Sequence, residues 1–294
     1  MSARYDAVVI GAGVAGASAA ILLARAGWRV AIVEKQAFPR RKVCGECIAA
    51  TNLPLLEALG IGADLHALAG PPLREVALMA GERIIRADFP AYGTGRHAFG
   101  LALGRETLDT LLLDQARRHG VEVYQPWMAR RIEAAPDGFV CTLARVHEAR
   151  SAVLQAPVVI DAHGSWETLH DRAAPSKPPP HRPSDLFAFK ANFAGSGLEP
   201  GLLPVLSFPG GYGGMVIGDG ARTTLAFCIR RDLLELLRRQ HPGRKAAEAA
   251  LEHVLQSCRG VRERLDGARL DDAWLGVGPL RPGVRRSVSV TAMR

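Results

Sequence analysis

Short apolar runs alternate with amphipathic segments along the first part of the chain. Tyr5–Ile10 and Arg29–Val33 are rich in β-branched residues and predict buried strands, whereas the Ala- and Leu-rich segment Val14–Ala26 predicts a packed helix. Gly27 is well placed to end that helix, because glycine reaches the left-handed conformation at little cost. Two strands joined by a helix form a parallel pair with a right-handed crossover, so the segment predicts a parallel α/β sheet.

The same criteria predict further elements as far as residue 275. Helices are expected at Asn52–Leu59, Arg105–His119 and around Lys245–Ser257. Strands are expected at Leu73–Met79, Arg83–Phe89, Val121–Tyr124, Val153–Ala162, Phe187–Phe193, Leu203–Phe208, Gly214–Ile217 and Thr223–Ile229, with a hairpin over Ile132–Arg145 that turns at Pro136-Asp137-Gly138. The Pro-rich segment Ala173–Pro183 is expected to be a loop. The whole pattern predicts a parallel α/β nucleotide domain with a second, mixed β domain inserted and appended.

Composition places the chain among ordinary globular proteins. Its 294 residues are 48% hydrophobic and allow one large domain or two intertwined ones. The net charge of +8 comes from scattered pairs such as Arg117-Arg118 and not from a long basic run, so nucleic acid is not an expected partner. Five cysteines without a regular framework, and no secretory leader before Tyr5, predict a cytoplasmic protein.

A glycine-rich turn lies between the first strand and the first helix. Gly11 permits a tight turn, Gly13 lets the backbone approach a pyrophosphate, and Gly16 lets the helix lie close to the sheet. Glu34 ends the second strand, where a carboxylate accepts the ribose hydroxyls of a dinucleotide and repels a 2′-phosphate. The bound nucleotide is therefore expected to be FAD or NAD and not NADP. The candidate nucleotide-binding residues of this unit are Gly11, Gly13, Val14, Ala15, Gly16, Glu34 and Lys35.

Four later stretches bear on which nucleotide is bound. Pro39–Glu46 contains P-x-x-K-x-C-G, Arg105 opens an amphipathic helix, Val158–Ser165 is an apolar strand ending in D-A-H-G-S, and Pro209–Gly213 contains P-x-G-Y. Together with the N-terminal β-α-β unit, these stretches resemble the flavoprotein superfamily that unites geranylgeranyl reductases with p-hydroxybenzoate-hydroxylase-type monooxygenases. The resemblance covers about residues 4–280 and favours FAD as the cofactor.

The resemblance implies a fold and a set of cofactor contacts. A Rossmann-type FAD-binding domain with a parallel sheet, at residues 1–70 and 101–172, would be interleaved with a mixed β substrate domain at 71–100 and 173–280. By position, Lys42, Cys44, Gly45, Arg105, Asp161 and Gly164 would lie beside the cofactor. The superfamily's G-D motif does not follow Gly278-Pro279, so the tail at 281–294 is expected to lack the return to the FAD domain, as in a C-terminally truncated relative with an incomplete flavin-ring site.

The implied activity is that of an FAD-dependent oxidoreductase with external NAD(P)H as electron donor. It would either reduce an alkene of a prenyl-type lipid or hydroxylate an aromatic or polyketide-like substrate. Cys44 and Tyr212 are the candidate catalytic residues, the partner is an apolar or aromatic small molecule, and membrane contact is expected only if that substrate is a lipid. A catalytically impaired nucleotide-binding protein and an NAD-dependent dehydrogenase remain as alternatives.

The segment Cys44-Gly45-Glu46-Cys47 also fits a redox-active dithiol, although no second nucleotide fingerprint accompanies it. No metal site is expected, because a second cysteine pair or suitably spaced histidines are missing.

Overall fold

The computed structural model describes residues 2–164 and 180–281 as an α/β protein. Its strands are β1 Ser2–Arg4, β2 Ala7–Ile10, β3 Val30–Val33, β4 Cys47–Ile48, β5 Glu75–Ala80, β6 Arg83–Asp88, β7 Leu101–Ala102, β8 Glu122–Tyr124, β9 Trp127–Ala135, β10 Gly138–Arg145, β11 Ser151–Ala156, β12 Val158–Asp161, β13 Leu186–Ala194, β14 Leu202–Phe208, β15 Gly211–Ile217, β16 Thr223–Arg230, β17 Arg269–Leu270 and β18 Leu275–Leu280. Its helices are α1 Val14–Arg25, α2 Leu53–Ala58, α3 Gly62–Leu68, α4 Arg105–Arg118, α5 Arg231–Gln240, α6 Ala246–Ser257 and α7 Arg259–Leu265.

The first sheet is fully parallel, with the strand order β12-β2-β3-β8. All residues of β2 and β3 are buried, because strands covered on both faces need apolar side chains on both sides. Helix α1 joins these two strands and packs against α4. Gly27 follows α1 with a φ of +85°, as expected for a glycine that ends a helix.

A second sheet continues from the first and has the order β1-β11-β10-β9. Strands β9 and β10 form the predicted hairpin, whose turn lies at Pro136-Asp137. The predicted single strand Val153–Ala162 is wrong, because it is divided at Pro157. Proline offers no N–H to a strand ladder, and the chain passes there from β11 in the second sheet to β12 in the first.

The third sheet has eight strands, in the order β17-β13-β16-β15-β14-β5-β6, with β18 also pairing with β13. Side chains alternate between its two faces. The helix face, which carries Phe189, Leu225 and Phe227, is covered by α5, α6 and α7 in one apolar core. The site face points the other way; it is buried at Lys190 and Thr224, which contact Glu46, and exposed at Tyr212.

Sequence patterns missed three helices, α3, α5 and α7, and the strands β1, β4, β7, β17 and β18. In the Pro209–Gly213 segment, Pro209 and Gly210 form a tight hairpin turn, and Gly211–Gly213 already belong to β15. Glycines mark that hairpin because a Cβ at Gly211 would overlap the Phe208 ring. Residues 173–179 of the predicted Pro-rich loop and the tail at 282–294 lie outside the described residues. Within the described ranges, no helix is long and apolar enough to cross a membrane.

Candidate functional site

The turn between β2 and α1 is shaped by glycines that approach other backbone closely. Gly11 has a φ of +99°, and a Cβ there would lie 2.5 Å from the carbonyl oxygen of Ala162. A Cβ on Gly16 would overlap the carbonyl oxygen of Gly11 and lie 3.2 Å from Cγ1 of Val9. Both glycines are therefore required by the protein's own packing, which presses α1 against the turn.

Gly13 differs because its missing side chain leaves open space. It is the N-cap of α1 with an extended backbone, and the atoms nearest to an added Cβ are guanidinium nitrogens of Arg105 at 3.5 Å and Arg40 at 3.7 Å. The first N–H groups of the helix, at Val14 and Ala15, have no partner within the helix. Free N–H groups, the helix dipole and two guanidinium groups thus converge on one space, which suits a phosphate.

Glu34 lies buried at the end of β3, beside this space. Its Oε2 accepts a hydrogen bond from the Ala12 N–H at 3.0 Å, and its Oε1 accepts one from the Gln36 N–H at 2.9 Å. Each carboxylate oxygen has two acceptor lone pairs, so capacity remains for two hydroxyl donors. Glu34 is therefore held in the orientation that a ribose diol needs.

Positive charge exceeds negative charge around the glycine turn. Arg105 makes a two-point ion pair with the buried Asp109 at 2.8 and 2.9 Å, and Arg40 lies 3.3 Å from Asp109 and 3.8 Å from Glu34. Lys42 is the third cation of the group, and burial followed by the nearby Arg105 and Arg40 lowers its pKa. Three cations thus face two carboxylates. The Arg40 Nε is buried and has no hydrogen-bond partner among the described residues, as expected for a group that binds an anionic ligand.

A cleft of about 220 Å³ extends from this cluster. Lys35, Arg41, Lys42 and His163 line one side of it together with Glu34, and β18 forms the other side through Leu275–Val277. Gly164 has a φ of +102° and faces the same region, since a Cβ there would lie 3.4 Å from Nζ of Lys42. The cleft connects the glycine turn to the third sheet. A larger cavity of about 580 Å³ lies at the other face of that sheet, beside Phe187 and Leu234, and shares Gly276 and Val277 of β18 with the cleft.

The Cys44–Cys47 segment lies next to Arg105. The Cys44 Sγ accepts a hydrogen bond from the Glu46 N–H at 3.4 Å and another from the Arg105 side chain. Burial, followed by the neighbouring Cys44, raises the pKa of the Cys47 thiol, which disfavours its thiolate. Gly45 is exposed, and a Cβ there would meet nothing within 4 Å. The structure therefore brings Cys44 to the cation cluster, whereas Cys47 lies exposed on β4.

Two sequence candidates lie outside the cluster. The Asp161 carboxylate contacts the His163 ring, and it is the Ala162 backbone that packs against the glycine turn. Tyr212 lies on the site face of the third sheet, is 55% exposed and forms a hydrogen bond with the Cys228 side chain. It stands opposite Cys228 on β16, four residues or about 13 Å along that strand from Thr224. Tyr212 is thus neither a core residue nor a neighbour of Cys44.

Several residues of the site were not among the sequence candidates. Arg40 lies within the P-x-x-K-x-C-G motif and Glu46 directly follows it. The motif alone does not indicate which of these side chains point into the protein. Asp109 is one helical turn after Arg105, a spacing that could have signalled the ion pair. Lys190 interrupts the apolar strand β13, and its lysine among phenylalanines was an available signal of a buried partner.

Comparison with known proteins identifies one family for more than half of the chain. A family model described as "FAD binding domain" matches residues 4–177. A flavin-dependent halogenase of Armillaria mellea is 33% identical over 134 residues, which cover 45% of this chain and 26% of that protein. The aligned part is thus about a quarter of that relative's length.

Two solved structures share the fold. The myxobacterial chondrochloren halogenase CndH superposes with a TM-score of 0.77 at 20% identity, covering 94% of this chain and 64% of that one. A geranylgeranyl bacteriochlorophyll reductase-like protein of Thermoplasma acidophilum gives 0.73 at 17% identity, covering 94% and 67%. The chain therefore spans about two thirds of the length of these structures.

Proposed function

The chain belongs to the family of FAD-binding domains, and from this premise we propose that it is an FAD-dependent oxidoreductase acting on a bulky apolar or aromatic substrate. The superfamily inferred from the sequence motifs is confirmed by the match of residues 4–177 to the FAD-binding domain model, and the fold is shared with a reductase-like protein and a halogenase. The α/β fold class with a Rossmann-type parallel sheet is confirmed as well.

The single observation that carries the proposal is the cluster of Arg40, Lys42 and Arg105 around the open space at Gly13. The residues present fit FAD, since the Arg40 Nε lacks a partner and Gly13 leaves room for a phosphate. The pyrophosphate would lie on the α1 N-terminus, and Glu34 would accept the adenosine ribose hydroxyls. Its carboxylate would disfavour a 2′-phosphate at this position.

The substrate would lie on the site face of the third sheet. Leu78 and Val205 are 45% and 42% exposed there, and Ile85 and Tyr212 extend the same apolar floor. An exposed apolar surface of this kind marks a place where ligands bind. Tyr212 would orient a substrate from the edge of this floor, because its hydroxyl is exposed and its ring is apolar.

When bound, FAD supplies the redox chemistry, and the protein supplies position and electrostatics. Lys42 and the Arg105 guanidinium would hold the cofactor phosphates in place at the cleft. Cys44 lies within hydrogen-bonding reach of Arg105, so it would pack at the boundary between cofactor and substrate. NAD(P)H would act as an external donor, since the sequence contains one glycine fingerprint only.

Anaerobic reduction followed by reoxidation tests this proposal. Protein loaded with FAD is reduced with NADH or NADPH, then mixed with a polyprenyl alkene, or with a phenol plus O₂, and products are identified by mass spectrometry. Reduced alkene would support the reductase branch, and hydroxylated ring the monooxygenase branch. Loss of activity after Val205→Asp with unchanged FAD content would support the proposed substrate face.

Halogenation is the second candidate, favoured by the similarity to the Armillaria mellea halogenase over 134 residues. The phenol reaction is therefore repeated with chloride or bromide, and a halogenated product would select this branch. FAD binding without turnover of any of these substrates would favour the impaired nucleotide-binding protein. NAD binding in place of FAD would overturn the proposal and favour the dehydrogenase.

A further inference from the structure

We propose that Glu46 is a positioning residue that couples the third sheet to the cofactor site by holding the first turn of α4, which carries Arg105. The inference rests on the proposed function in so far as Arg105 contacts FAD. Glu46 itself lies one residue before β4, outside the glycine turn, and touches neither Gly13 nor the cleft. Its effect on the cofactor would therefore pass through Arg105.

Glu46 is only 4% exposed and joins three parts of the chain. Its Oε1 accepts a hydrogen bond from the Arg105 backbone N–H at 3.0 Å and pairs with the Lys190 ammonium group. Its Oε2 accepts the Thr224 hydroxyl at 2.6 Å. One carboxylate thus connects the N-terminus of α4 to strands β13 and β16 of the third sheet.

The surroundings fix this carboxylate in one place. Lys190 is 1% exposed, so the ammonium group cannot be hydrated if the pair separates. The backbone carbonyl of Glu46 also accepts a hydrogen bond from the Leu103 N–H, which anchors the residue from its other side. The left-handed backbone at Glu46, with a φ of 60°, persists because these contacts over-determine it.

A second carboxylate from the third sheet holds the same helix end. Asp219, in the turn after β15, accepts the Gly104 N–H at 2.7 Å and the Thr107 hydroxyl at 2.8 Å. Arg222 joins Asp219 to Glu106 with distances of 3.0 and 2.8 Å. The N-cap residue of α4 therefore provides no side-chain cap, and the first turn of the helix is held instead by Glu46 and by Asp219 in the turn after β15 of the third sheet.

This arrangement makes the position of Arg105 depend on the third sheet. A ligand that shifts β13 or β16 would move Lys190 and Thr224, and with them the acceptor of the Arg105 N–H. By linkage, a cofactor on Arg105 would then stiffen the site face. Cofactor affinity and substrate affinity are expected to be coupled through Glu46.

Two double variants differ only in whether residue 46 offers an oxygen acceptor to the Arg105 N–H. Glu46→Met/Lys190→Met and Glu46→Gln/Lys190→Met both remove the buried ion pair, so neither leaves an unpaired buried charge. The Gln variant keeps a neutral oxygen for the Arg105 N–H, whereas the Met variant does not. Asp185→Asn removes another buried carboxylate, paired with Arg281 away from the glycine turn, and serves as the control.

FAD affinity, melting temperature and amide hydrogen exchange are measured on all three variants and on the unaltered protein. We expect the Met variant to bind FAD about five- to tenfold more weakly than the Gln variant, which corresponds to the loss of one hydrogen bond. The Arg105 amide is expected to exchange faster in the Met variant of the FAD-free protein. The control is expected to have a lower melting temperature but unchanged FAD affinity and unchanged exchange at Arg105.

Equal FAD affinity and equal Arg105 exchange in the two double variants would overturn the proposal and leave Glu46 a purely structural residue. The proposal would also be overturned if FAD affinity fell in proportion to melting temperature across all variants, including the Asp185→Asn control. If the unaltered protein does not bind FAD, the proposed function fails, and exchange at Arg105 alone then decides whether Glu46 holds the helix.

Discussion

Replacing Gly13 with alanine is expected to weaken nucleotide binding without destabilising the protein. The added methyl group would lie 3.5 Å from the Arg105 guanidinium and 3.7 Å from that of Arg40, which are ordinary van der Waals distances. The extended backbone of Gly13 is open to any residue. The methyl group would, however, occupy the space in which a phosphate meets the α1 N–H groups.

The magnitude follows from the hydrogen bonds that the phosphate would lose. A hydrogen bond to a charged group contributes about 1.5–3 kcal/mol. Loss of one such bond corresponds to an FAD dissociation constant that is roughly 10- to 150-fold higher. Titration calorimetry with FAD and with ADP measures this change, and thermal unfolding without ligand checks that the melting temperature stays within about 2 °C.

Gly16→Ala is the matched control in the same turn. Its methyl group would overlap the Gly11 carbonyl oxygen, so α1 must move away from β2. Overpacking of this kind costs about 1–3 kcal/mol, or roughly 2–12 °C in melting temperature. A Gly13→Ala protein that binds ADP as tightly as the unaltered protein would refute the assignment of this turn as the phosphate site, whatever Gly16→Ala does.

Three further predictions concern the charges and the substrate face. Burial lowers the pKa of Lys42, and FAD binding requires the protonated form of this side chain, so FAD affinity is expected to fall as the pH rises through the lowered pKa. The Lys42→Arg variant should show no pH dependence over the same range. A pH-independent FAD affinity in the unaltered protein would contradict this prediction. In Glu34→Gln, the side-chain NH₂ group would face one of the two backbone N–H groups from which the carboxylate now accepts hydrogen bonds, so FAD binding is expected to weaken about 10-fold or more in a fluorescence titration. Unchanged FAD affinity would argue against a ribose contact. Val205→Asp is expected to raise the KM for an apolar substrate with little change in FAD affinity, and an unchanged KM would place the substrate elsewhere.

Local signals in the sequence predicted the first β-α-β unit and its glycine turn well. Strands β2 and β3, helix α1 and the acid at Glu34 follow one another within 34 residues, so periodicity and glycine spacing specify them together. The same approach merged β11 and β12, because both are apolar and only Pro157 separates them. It also began the predicted strand at Gly214, although β15 begins at Gly211, because glycines in a strand resemble a turn when the partner strand is unknown.

Contacts across large sequence separations were not predictable from one sequence. Glu46 and Lys190 are 144 residues apart, and Glu46 and Thr224 are 178 residues apart. Their pairing depends on how the third sheet packs against the start of α4. Arg40 likewise acquires its role only when Asp109 and Gly13 are brought beside it. The assignment of Cys44, Asp161 and Tyr212 to cofactor or substrate stays a prediction.

Titration of the purified protein with FAD, ADP and FMN tests whether the glycine turn and Glu34 bind the adenosine diphosphate part of FAD. The proposed contacts of Glu34 and of the glycine turn are to the adenosine diphosphate part of FAD, so FAD is expected to bind with one-to-one stoichiometry and ADP to displace it. FMN lacks the adenosine monophosphate part, keeps only one of the two phosphates, and is expected neither to bind tightly nor to compete. Absence of FAD binding, or competition by FMN as effective as that by ADP, would contradict the account.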